Sequence, residues 1–202
     1  MPQTGYNLEP GIAVPGMPFS LSGSDVIEAR PALVAIPFGV LVEIVVSGGI
    51  EYVQPVQDLT GSPWTAAKLY GVSVYDPARE QAIPSLGANV GINGLAGYAA
   101  NEMVPVMRRG CIYVQTDGAA AWAAGGTSWP SLGAVNVHHS SDGTHAQGVF
   151  TMLAQVTTAG NEIDACPTTI IGRDIGRVQT YTNGFGATFN VAVVELNAPG
   201  ST

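Results

Sequence analysis

Basic side chains are scarce in this chain. Seven Lys and Arg stand against fifteen Asp and Glu in 202 residues, for a formal net charge of −8 at pH 7. Lys68 is the single lysine. Nucleic-acid binding rests on clustered cations facing phosphates, so this balance argues against DNA or RNA as a partner. Charged residues of both signs make up only 11%, whereas helices want Ala, Leu, Glu and Lys on their exposed faces. A mainly helical fold is therefore disfavoured. Cys111 and Cys166 are too few for a disulfide framework and read as buried free thiols. No apolar run approaches membrane-spanning length, and MPQTGYNLEPGIAVPG has neither the basic start nor the apolar core of a secretory signal. No membrane partner is expected.

What the chain has instead is turn formers and short apolar runs. It carries 26 Gly and 14 Pro. Residues 1–24 hold Pro2, Pro10, Pro15 and Pro18 together with Gly5, Gly11, Gly16 and Gly23, so neither a helix nor an inner strand runs through them unbroken. Ile12, Val14, Met17 and Phe19 are interspersed. This reads as an extended arm with apolar anchors, lying on its own domain or on a neighbour's.

Residues 25–202 read as one β-rich domain with long loops at 85–97 and 119–147. ALVAIPFGVLVEIVV (32–46) is rich in β-branched residues, with Pro37 and Gly39 marking a bend. SGG (47–49) then leads into IEYVQPV as a hairpin. VSVY (72–75), CIYVQT (111–116), GVFTMLAQV (148–156), TTIIG (168–172) and VQTYT (178–182) are further strand signals. FNVAVVEL (189–196) has apolar residues on both faces, as a strand covered on both sides would. SPWTAAKLY (62–70) has Ser62 as a possible N-cap and Pro63 behind it, the pattern of a short helix. The expected fold is all-β: a β-sandwich or barrel-like domain of seven or more short strands, with an extended N-terminal arm and at most a short helix.

The chemistry-bearing residues do not assemble a reaction centre. VHHSSDGTH brings together His138, His139 and His145 with Asp142. Its order has some likeness to the metal motif of cupins, but adjacent side chains in a strand point to opposite faces. These histidines are therefore expected in a solvent-exposed or subunit-contact loop, with no metal. GINGLAG and GFGATF match no phosphate loop, and no Gly-x-Ser-x-Gly elbow is present. No catalytic residue and no cofactor are assigned. Trp122 and Trp129 lie in segments of loop character and suggest an alternative, a carbohydrate- or receptor-binding β-sandwich that stacks sugars on flat rings.

The order of several segments carries a family resemblance. PGMPFSLSGSDVIEARPA leads into AIPFGVLV, followed by KLYGVSVYD, then GYAANEMVPVMRRGCIYVQTDG, and near the C-terminus GATFNVAVVELNAP. In this order they resemble the structural cement, or capsid decoration, proteins of tailed bacteriophages. The resemblance implies a non-enzymatic virion protein, made in the host cytoplasm and bound to the outer face of the shell. There it would bridge neighbouring copies of the major capsid protein and self-associate as trimers or dimers. MVPVMRRGCIYV is then read as strand, corner, strand, with Gly110 at the turn. Arg108 and Arg109 would project from the corner toward acidic groups of a shell or sister subunit.

Overall fold

The computed structural model describes residues 14–20, 25–57, 68–80, 97–117, 135–139, 147–151, 153, 156–158, 161–165, 171–174, 178–182 and 188–197. In chain order the elements are β1 (Pro18–Ser20), β2 (Val26–Pro31), β3 (Ile36–Pro37), β4 (Leu41–Ser47), β5 (Ile50–Pro55), β6 (Leu69–Ser73), α1 (Pro77–Glu80), β7 (Gly97–Tyr98), β8 (Met103–Thr116), β9 (Asn136–His138), β10 (Phe150–Thr151), β11 (Val156–Thr158), β12 (Asn161–Ala165), β13 (Ile171–Asp174), β14 (Gln179–Thr182) and β15 (Thr188–Asn197). The fold is all-β, and the one helix among the described residues is four residues long. A large sheet runs β11-β12-β9-β10-β8-β6-β4-β5, and β3 pairs with β7 in a small second sheet.

The fourteen-residue β8 organises the molecule. It pairs antiparallel with β1, β2, β6 and β15 and parallel with β10. Sheet order β5–β4–β6–β8–β2 then returns to its start. Ala32, just past β2, forms a parallel bridge with Val53 of β5, and the Leu33 N–H donates to the Val53 carbonyl at 2.9 Å. This half is therefore a closed, barrel-like ring, in which strand edges are satisfied by each other. Its interior is filled by Ile36, Phe38, Val40, Val42, Val53, Tyr98, Val104 and Val106.

A second core uses the opposite faces of the same strands. Leu41, Val72, Met107, Ile112 and Val114 pack there with Val137, Phe150, Ala192 and Val194. One irregularity in β8 makes this sharing possible. Val26 stands opposite Arg109 while Ile27 stands opposite Met107, so Arg108 is an extra residue, a β-bulge. Before it, even-numbered Val104 and Val106 face the barrel. After it, even-numbered Ile112 and Val114 face the second core. The bulge turns the strand's alternation over, so even-numbered positions serve the barrel before it and the second core after it.

The arm is built into this frame. Gly16 donates to the Tyr113 carbonyl at 2.7 Å and accepts from the Tyr75 N–H at 2.8 Å, and the Tyr113 N–H donates to the Met17 carbonyl at 3.0 Å. Gly16 has φ +81°, and a Cβ there would lie 2.7 Å from both the Ser73 carbonyl oxygen and the Tyr75 nitrogen. Three backbones cross too closely for a side chain. Met17 and Phe19 then cover Tyr113, Val191 and Val193 on the outer face of β8 and β15.

Several local expectations meet the structure directly. The bend at Pro37–Gly39 separates β3 from β4, with Gly39 at φ +69°. The hairpin β4–β5 forms in the expected place. β15 is buried on both faces, Val191 and Val193 on one and Ala192 and Val194 on the other. Three local readings differ. The short helix read over 62–70 lies outside the described residues up to position 67, and Leu69 and Tyr70 open β6; the observed helix is α1. Gly110 does not end a strand: β8 runs unbroken from Met103 to Thr116, with the bulge beside this glycine. The stretch read as one loop over 119–147 contains β9. There Val137 pairs with Phe150 and Asp164, and this long-range pairing defeats the local loop signal of its neighbours.

Candidate interaction surface

Arg108 and Arg109 are adjacent but meet different surroundings. As the bulge residue, Arg108 turns toward the barrel mouth. Its Nη1 donates to Glu28 Oε1 at 3.1 Å, and its guanidinium carbon lies 4.6 Å from the centre of the Tyr70 ring. The Tyr70 hydroxyl donates to the other oxygen of the same carboxylate. Arg30 joins from β2, with Nη2 3.4 Å from Glu28, Nε 3.7 Å from Glu51 and its guanidinium carbon 5.3 Å from the Tyr70 ring centre. In register, Glu28 stands opposite Val106 and Arg30 opposite Val104, so both lie on the face that lines the barrel. The result is a polar plug at the end of an apolar interior.

The electrostatics of the plug follow from this arrangement. The hydrogen bond from Tyr70 holds the Glu28 carboxyl below its ordinary value; burial opposes it, and Arg108 and Arg30 reinforce it. Burial, seconded by the bond to Glu28, pushes the Tyr70 hydroxyl up to about 12. A ring flanked by two guanidiniums gains cation–π attraction of about 0.5–2 kcal/mol for each contact. The side chain of Arg108 is only 11% exposed and is paired within its own chain. Arg109 is exposed, in register with Val26 on β2 and Asn197 on β15. Next to it, Gly110 has φ +122°, and a Cβ there would meet Asp25 Oδ1 at 2.5 Å. Backbone conformation and contact both call for glycine here.

The arm residues are similarly divided. Val14 is buried, Met17 and Phe19 are half-buried, and the Phe19 ring meets Tyr113 edge-on at 5.7 Å. These three side chains sit against their own domain. Ile12 lies outside the described residues.

A second polar cluster fixes the approach to β8. Arg79 of α1 bonds Asp76 at 3.2 Å and Glu102, and its guanidinium carbon lies 4.8 Å from the Tyr98 ring centre. Glu102 also accepts the Ala99 N–H at 2.7 Å. The Arg79 hydrogen bond lowers the Glu102 pKa against the opposing effect of burial. Tyr98 is raised, chiefly by burial, and its hydroxyl donates to the Val74 carbonyl at 2.7 Å.

The histidines correct an expectation. His138 and His139 are not in an exposed loop: they are 2% and 5% exposed, and His138 closes β9. His138 Nε2 lies 2.8 Å from Asp117 Oδ1 at the end of β8, so the pair ties two strands together inside the fold. Among the described residues, no three His, Cys, Asp or Glu side chains are grouped to hold a metal. Asp142, His145, Trp122 and Trp129 lie outside the described residues. Cys111 is half-buried, and Cys166 lies outside the described residues. Glu28 and Tyr70, the groups that claim Arg108, were not singled out in the sequence. The local signal for them is the charge at alternate positions in Glu28-Ala29-Arg30.

An all-β chain whose arm is woven into its central strand matches a known family over nearly its whole length. Residues 1–197 match the family described as Structural cement protein (E217 gp24/Pam3 gp6). The chain belongs to this family of phage structural cement proteins. Membership makes it a structural component of the phage capsid. Among curated proteins no match to the chain is found.

Proposed function

We propose that this cement protein binds the outer surface of the phage shell and bridges neighbouring copies of the major capsid protein, self-associating there as a trimer or dimer. The family match over residues 1–197 is the observation that carries the reading. A ligand that binds the assembled lattice and not its separated subunits stabilises the lattice by mass action. Many symmetric copies then sum contacts that are each modest. The net charge of −8 suits the outer side of a shell, away from packed DNA.

Of the residues singled out in the sequence, exposed Arg109 is the one we assign to direct contact with an acidic group of the shell or of a sister subunit. Ile12 is retained as an apolar contact of the arm. Arg108, Val14, Met17 and Phe19 support binding indirectly, by holding β8 and the arm in place. Quantitative mass spectrometry of purified particles tests the reading: a copy number comparable to that of the major shell protein is expected. Absence of the chain from particles refutes it. Arg109→Ala is expected to weaken binding to shells that lack this protein, and unchanged affinity would remove Arg109 from the contact.

A further inference from the structure

The β4–β5 hairpin ends in an apolar tip that the described residues leave exposed. Val46 is 66% exposed, the most of any large apolar side chain among the described residues, and Ile50 across the turn is 54% exposed. Between them Ser47 pairs with Ile50, leaving Gly48-Gly49 as a two-residue turn. Both glycines have positive φ, +59° and +82°, the backbone of a type I′ turn, whose twist matches that of its strands. A Cβ at either glycine would meet nothing within 4 Å. The glycines are thus called for by the turn and not by packing, and the tip stands in open space.

The root of the hairpin is firm. Leu41, Val42 and Val53 are fully buried, and Gln54 donates to Glu43 at 2.8 Å. Six consecutive pairs run from Val42–Pro55 to Ser47–Ile50, and burial falls away steadily along β4 toward the tip.

Register places the two apolar residues on opposite sides of the ribbon. Val46 pairs with Glu51 and shares its face, while Ile50 shares the other face with Ser47. Docking flat on a surface would bury one of them and leave the other in water. Only a cleft with two walls covers both. Charge restricts the occupant further. Residues 41–55 contain Glu43 and Glu51 but no Lys or Arg, and Arg30 of β2 lies 3.7 Å from Glu51. Glu51 remains 57% exposed.

From this geometry we propose that the β4–β5 tip is a preformed wedge that inserts into a two-walled apolar cleft of the capsid shell, with a basic side chain at the cleft rim facing Glu51. The proposal rests on the capsid-binding reading above and names the part of the molecule that enters the shell. A wedge already rigid in the free protein loses little conformational freedom on binding.

The test uses the full chain and purified shells lacking it, with bound copies and Kd measured by co-sedimentation and the melting of each free variant measured in parallel. Val46→Ser and Ile50→Ser are each expected to raise Kd about tenfold, the effect of forfeiting burial of one aliphatic side chain. The double variant is expected to raise it about a hundredfold, with melting of the free protein unchanged. The Val46→Ile/Ile50→Val pair keeps both faces apolar and is expected to bind like the wild type. Wild-type affinity in the double serine variant overturns the wedge while leaving the capsid reading intact. An effect from only one of the two serine variants shows flat docking and also overturns it. Wild-type protein that leaves shells bare overturns the capsid reading and the wedge with it.

Discussion

Arg108 shows what a single inserted residue does. Without the bulge, Ile112 and Val114 would keep the barrel-facing parity of Val104 and Val106. Pairing with Glu28, 80 positions away in sequence, was not legible from RRG itself: the local pattern marks an irregularity but not its partner. Arg108→Ala is expected to destabilise the isolated protein by about 1–3 kcal/mol, because it leaves Glu28 half-buried with one donor fewer and removes a cation from the Tyr70 ring. Thermal melting of Arg108→Ala beside Arg109→Ala checks this, and equal melting of the two would contradict it. The same plug sets an acid limb. The folded-state pKa of Glu28 is lowered from 4.5, so its stabilising contribution is present above that value and is lost as pH falls through the folded pKa. Glu102 has the same sign. Glu28→Gln is therefore expected to be less stable at neutral pH and to lose stability less steeply below pH 4.5. Denaturant melts across that range decide it: an acid limb as steep as wild type would place the sensitivity elsewhere.

At the scale of elements, turns and doubly buried strands were the legible parts. Gly48-Gly49 declares a hairpin because few other residues accept two successive positive φ angles. FNVAVVEL declares a strand with two apolar faces, and β15 has them. His138 was misread because Asp142-Gly143 nearby has a strong turn signal, whereas β9 is held by β10 and β12, partners remote in sequence. The arm was legible as extended and anchored, but its destination was open. In the structure, residues 14–20 cross β8 and cover three side chains that would otherwise face water. Two truncations separate the halves of the arm. Removal of residues 1–13 is expected to leave melting nearly unchanged. Removal of residues 1–24 takes away β1 and the bonds of Gly16 and Met17 to Tyr75 and Tyr113, and is expected to lower melting strongly or give insoluble protein. Equal melting of the two truncations would show that β1 contributes nothing to the fold.

At the scale of the whole molecule, two hydrophobic cores share one strand, and this decides how the protein comes apart. Val106 in the barrel and Val114 in the second core are both fully buried, on either side of the same bulge. Melting either core would strip partners from β8 and expose the faces of β4 and β6 that serve the other. The two halves should therefore unfold as one unit even though they are filled separately. In the proposed bridging role this cooperativity would be an advantage, because a clamp that opens at one end first would transmit strain only until its weaker half gave way. Val106→Ala and Val114→Ala each remove buried methyl groups and leave cavities, at a cost of about 2 kcal/mol. Each is expected to shift a single calorimetric transition downward by about 4–8 °C, with calorimetric and van't Hoff enthalpies remaining equal. Two resolved transitions, with each variant moving only its own, would show that the bulge divides the molecule into independent units.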